Sequence, residues 1–162
     1  MSHQPRFLFA VLLALLLTPA LAARAGGPLE GRWRLAEQSY QQGRSDLARD
    51  EAGLVLVFGG PTGPRVLDPR RDAGEAAWPA VFTDEGAAPV EVIARKIDPA
   101  AGTARAVYRL VPPDGDGWTL DLVESYAIDE AGHLTGTLRV TMTRDGQPAG
   151  GYTLHRTFAR VR

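Results

Sequence analysis

The chain has 162 residues, no cysteine and a formal net charge of −1. These three facts exclude a disulfide-stapled scaffold, a thioether lipid anchor and a surface basic enough to hold nucleic acid. Stability has to come from a packed core, and a chain of this size builds one.

The N-terminal segment passes from a weakly basic start, with His3 and Arg6, into an unbroken apolar run at 7–17 and then Thr18-Pro19. That layout predicts a cleavable secretory signal peptide. Small residues at −3 and −1 place cleavage after Ala22, with Ala25 as the alternative. An apolar core of about 11 residues is well short of the roughly 20 that span a bilayer, which argues against a membrane anchor. The expected mature chain is one domain, from residue 26 to residue 162, with no membrane span, located in the periplasm or secreted. Arginine outnumbers lysine 17 to 1, and with abundant Ala, Gly and Pro this suggests a GC-rich, bacterial coding sequence.

Beyond the leader, glycine and proline interrupt the chain at short intervals, and the intervals alternate with period two. Residues 31–36 read as a first strand, 45–52 as the only candidate for a helical turn, and 54–58 as an apolar strand. The stretch 59–86 is rich in Gly, Pro, Asp and Arg and reads mostly as loop, with short strands near 65–67 and 80–83. Residues 90–97 and 104–111 pair through a turn at 98–102. The clearest strand is 118–128, which puts Trp118, Leu120, Leu122, Glu124, Tyr126 and Ile128 on one face. It turns at 129–132 into a strand at 134–144, and 145–151 leads to a last strand at 152–161. The pattern predicts an all-β domain: a single antiparallel up-and-down β-barrel of about 7–9 strands, with a β-sandwich as the alternative.

On the first strand, Gly31-Arg32-Trp33 follows the leader closely. This start resembles that of lipocalin-like (calycin) barrels. The resemblance implies that Trp33 closes one end of a barrel beneath an arginine of the last strand, for which Arg156 and Arg160 are the candidates. A guanidinium stacks well on an indole face, so the pairing is physically sound. The chain departs from the family in having no Thr-Asp-Tyr triplet, no clear helix before the last strand and no disulfide pair. The resemblance implies binding of a small apolar molecule in the barrel interior.

Four residues are the expected ligand contacts. Glu124 and Arg156 fall in step with apolar neighbours on their strands, and Tyr108 and Tyr126 share the inward face. Buried charges need partners, so Glu124 and Arg156 either pair with one another or meet a polar group of a ligand. Trp33 and Arg160 are expected to be structural. Trp78, before Pro79, reads as core or as a cover over the barrel mouth. The segment Asp68-Pro69-Arg70-Arg71-Asp72 reads as a solvated loop of mixed sign. No metal, cofactor or catalytic residue is expected. His133 and His155 are the only histidines after the leader, no serine stands in a Gly-x-Ser-x-Gly elbow, and the glycine-rich turns lack the lysine of a phosphate loop. Strand neighbours could bring Ser125, His155 and Asp121 together on the outer face as a hydrolase triad, but nothing in the sequence singles the grouping out and an exposed sheet surface excludes water poorly. The expected partners are a small apolar ligand or, alternatively, another envelope protein bound by a domain with a filled core.

Overall fold

The computed structural model describes residues 26–40, 53–112 and 116–162. The expected signal peptide and the helical turn at 45–52 lie outside these residues. Alternating side chains and glycine-rich turns give eleven strands and no helix among the described residues. They are β1 (Gly31–Tyr40), β2 (Val55–Phe58), β3 (Arg65–Leu67), β4 (Glu75–Ala77), β5 (Val81–Thr83), β6 (Gly86–Ala88), β7 (Glu91–Asp98), β8 (Thr103–Leu110), β9 (Trp118–Ile128), β10 (Leu134–Arg144) and β11 (Gln147–Val161).

Nine of them form one antiparallel sheet in the order β4-β3-β2-β1-β11-β10-β9-β8-β7. The first strand pairs with the last, so the meander runs in sequence order around the curl and stops at β4 and β7. The expected all-β, antiparallel up-and-down architecture of 7–9 strands is what this sheet forms; among the described residues no ladder joins its two edges, so it is curled into a half-barrel. The chain between the edges forms the β5–β6 hairpin, a separate two-stranded sheet. The sequence pattern does not predict strands β4 and β6. Each spans three residues between turns, too short to show alternation.

The concave side holds the core. Directly opposite residues on antiparallel neighbours share a face. From β8 to β11 the inward rows therefore combine Ala104 with Tyr126, Ala106 with Glu124, Leu138 with Glu124 and Leu154, and Leu134 with Phe158. The two alanines of β8 leave room beside the larger Tyr126 and Glu124. On β1 a bulge between Leu35 and Glu37 changes the alternation, so Gln38 and Tyr40 follow Trp33 and Leu35 and stand opposite inward-facing Arg156 and Leu154. A bulge inserts one unpaired residue and so exchanges the two faces beyond it.

Trp33 lies at one end of the curl. Its indole Nε1–H donates to the Leu29 carbonyl at 2.8 Å, and the Arg160 guanidinium stacks 4.6 Å from its ring centroid. Arg160 Nη2 donates to the Pro28 carbonyl at 2.6 Å. Gly31 has φ +134°, a conformation side chains avoid, and it lies directly beneath that guanidinium. The arginine partner of Trp33 is thus Arg160, and Arg156 belongs elsewhere.

Trp78 fills the seam between β4 and β7. Its backbone N–H donates to the Pro64 carbonyl at 2.9 Å, and its own carbonyl accepts from Arg95 Nη1 of β7 at 2.9 Å. Its peptide bond to Pro79 is cis. The side chain is buried, with its ring edge-on to Phe58 at 5.6 Å and tilted to Tyr126 at 6.5 Å. It is therefore a core residue and does not lie over the mouth.

Candidate functional site

The inner face carries a polar network built around β9. The β9–β10 register runs unbroken from Trp118 to Ile128, so no bulge turns Glu124 outward. Glu124 is 4% exposed and Arg156 6%. Glu124 Oε2 accepts from Trp78 Nε1 at 2.7 Å, and Oε1 accepts from the Tyr108 hydroxyl at 2.8 Å. Arg156 Nη1 stands 3.6 Å from Oε1 and donates to the Tyr126 hydroxyl at 3.1 Å. Arg156 Nε donates to Gln38 Oε1 at 2.8 Å. Burial holds the Tyr108 phenol well above its ordinary pKa, and the Glu124 carboxylate beside it pushes the same way. Tyr108 stays a protonated donor throughout the physiological range. All four expected contact residues, Tyr108, Glu124, Tyr126 and Arg156, thus meet in one cluster, and Glu124 pairs with Arg156.

Arg156 reaches Tyr126 across β10 because the intervening residue is Gly136. Gly136 is opposite Tyr126 on one side and Arg156 on the other. A Cβ there would lie 2.4 Å from Tyr126 Cδ1 and 2.1 Å from the Ser125 carbonyl oxygen, which is closer than atoms can approach. Gly136→Ala is therefore expected to destabilise the fold by about 1–3 kcal/mol through forced displacement of β9 against β10. Urea denaturation checks this, and an unchanged midpoint would show that the strand crossing is loose.

The network forms part of the wall of a cavity of about 360 Å³. Leu56, Val66, Leu110, Leu122 and Phe158 supply apolar wall, and Tyr108, Glu124, Tyr126 and Arg156 supply the polar part. The β5–β6 hairpin borders it, with exposed Thr83 and Asp84 at the rim. Asp68 and Arg71 stand beside that rim.

Asp68 is 1% exposed, contrary to the solvated loop expected. Its Oδ1 accepts from Arg70 Nε at 2.8 Å and its Oδ2 from Arg71 Nε at 2.9 Å. The two arginines fold over it, and Arg71 also donates to the Thr83 carbonyl, tying the loop to the hairpin. The Arg70 side chain is the main cause that lowers the Asp68 pKa from 3.8 to about 2, with Arg71 adding to it and burial opposing it. A carboxylate that titrates lower in the folded than in the unfolded chain stabilises the fold fully above pH 3.8, and the contribution disappears as the pH falls through about 2. Allowing for the partial exposure of Arg70, that contribution is about 1–2 kcal/mol. Asp68→Asn should lower stability by this amount at pH 7 and flatten its fall between pH 4 and pH 2, as followed by denaturation at a series of pH values.

The outer-face grouping does not assemble. Thr137 of β10 stands between Ser125 and His155, two strand spacings or about 10 Å apart. The Ser125 hydroxyl accepts from Arg105 and Asp121 pairs with Arg109. Sequence reasoning misses Trp78, Gln38 and Gly136 as parts of the cluster. Among the described residues no group of three or more His, Cys, Asp or Glu is placed to hold a metal ion, and no helix is long and apolar enough to cross a membrane.

Comparison with family models, curated proteins and solved structures gives no match.

Proposed function

We propose that this chain is exported, through the signal peptide read at residues 1–22, and works in the periplasm or outside the cell as a lipocalin-like, non-enzymatic barrel that holds a small, largely apolar ligand. The observation that carries the reading is the cavity of about 360 Å³ on the concave face, which combines an apolar wall with one buried polar cluster. Small-molecule sites have this composition: a volume of roughly 300–1,000 Å³, mostly apolar surface and a few placed polar groups. The Trp33–Arg160 stack at one end of the curl agrees with the lipocalin-like start of the sequence.

The second reading is an envelope interaction module. It draws on the exposed apolar side chains Val92 (47%) and Ile93 (54%) on the edge strand β7. That strand has a bulge between Val92 and Ala94, and Arg95 stands opposite the inward-facing Ala106. Bulges and inward-pointing charges on an edge are features that discourage another strand from adding to it.

Native mass spectrometry of the protein purified from its own envelope tests the proposal. A co-purifying small molecule is expected. A bare polypeptide recovered with a protein partner would replace the first reading by the second.

A further inference from the structure

The cavity's charges bear on the class of ligand, and this inference rests on the binding reading above. Its wall contains three carboxylates, Asp68, Asp84 and Glu124, and two guanidiniums, Arg71 and Arg156. The buried ones are already matched within the protein. Asp68 accepts from both Arg70 and Arg71, and Glu124 accepts from Trp78 and Tyr108 with Arg156 at 3.6 Å. Arg156 is itself held by Gln38 and Tyr126. Asp84, at the rim, is fully exposed and stands 3.8 Å from Arg71.

A ligand carboxylate at the polar cluster would have to share Arg156 with Glu124, placing two like charges side by side in a site where each ion is poorly solvated. A ligand ammonium would approach the same guanidinium and would have to draw Glu124 away from its three partners. A ligand hydroxyl brings no charge, and it can donate to the Tyr108 hydroxyl oxygen while Tyr108 goes on donating to Glu124, so the ion pair is kept. The volume equals about twelve molecules of liquid water at roughly 30 Å³ each, which is room for a compact chain or ring system of about a dozen non-hydrogen atoms.

We infer that the cavity accepts an uncharged amphiphile of this size, carrying one hydrogen-bonding group, and discriminates against fatty-acid anions. The test is calorimetric titration of the purified protein at pH 8 with three probes of matched length: 1-decanol, decanoate and decyltrimethylammonium. Decanol is expected to bind at least about tenfold more tightly than either ion. Decanoate or decyltrimethylammonium binding as tightly as decanol would overturn the inference while leaving the binding reading intact. Binding of none of the three would overturn both.

Discussion

Replacing Glu124 by alanine is expected to cost about 3–5 kcal/mol of folding stability, because it removes the carboxylate 3.6 Å from the buried Arg156 guanidinium. The same change removes the acceptor for the Trp78 indole and for the Tyr108 hydroxyl, so three donors lose a partner together. Truncating Arg156 to methionine should be costly for the mirror-image reason. The double variant Glu124→Ala/Arg156→Met should lose less than the sum of the two single changes, since the two charges are removed together. Guanidinium chloride denaturation measures all of these. Losses that add, or a Glu124→Ala change under about 1 kcal/mol, would mean that the pair is solvated and the cluster is not a buried network.

The second large effect is expected at Trp78. Trp78→Ala should destabilise by about 3–5 kcal/mol, as for other large aromatic side chains removed from a core. The seam between β4 and β7 has no ladder to fall back on, and the ring that fills it also contacts Phe58 and Tyr126. Trp78→Phe isolates the polar part. It keeps most of the ring packing but removes the indole donor to the buried Glu124 Oε2, for a loss of about 1–3 kcal/mol. A cycle pairing Trp78→Phe with Glu124→Gln reads the coupling directly, and additive losses would show that the 2.7 Å contact contributes nothing.

How much of this is legible in the sequence depends on whether a residue lies in a long alternating run. The strands at 118–128 and 134–144 are legible to the residue, and Glu124, Tyr126 and Tyr108 read as inward because period two holds without interruption on β8 and β9. Arg156 follows from the same rule on β11. Gln38 escapes because alternation ends the first strand at residue 36, where the bulge exchanges the faces and sends the next polar side chain inward. Trp78 lies in a loop between three-residue strands, where there is no period to read and only tertiary contact fixes the side chain. Asp68 reads as solvated when its charged neighbours are counted as exposed, whereas Arg70 and Arg71 close over it. Gly136 carries a usable signal, since a glycine at an inward position of an otherwise regular strand marks a close approach of neighbouring groups.

The resemblance to lipocalin-like barrels agrees with the geometry at Trp33 and Arg160, which stack as expected. The half-barrel and its tryptophan-filled seam are where this chain departs from a continuous cylinder. The same segment that interrupts the ladder supplies the hairpin at the cavity rim and the indole that holds Glu124. Seam and cavity wall are thus built from one stretch of chain, and under the proposed binding function a change at Trp78 should alter affinity for 1-decanol as well as stability.

The chain's three tryptophans offer the most direct measurement. Trp78 donates its indole N–H to the cavity carboxylate, Trp33 donates to the Leu29 carbonyl, and Trp118 lies under Arg144. In a nitrogen-15 correlation spectrum titrated with 1-decanol, the Trp78 indole resonance is expected to shift while those of Trp33 and Trp118 stay in place. A saturating titration that leaves Trp78 unmoved, or that moves only Trp118, would contradict binding in the cavity.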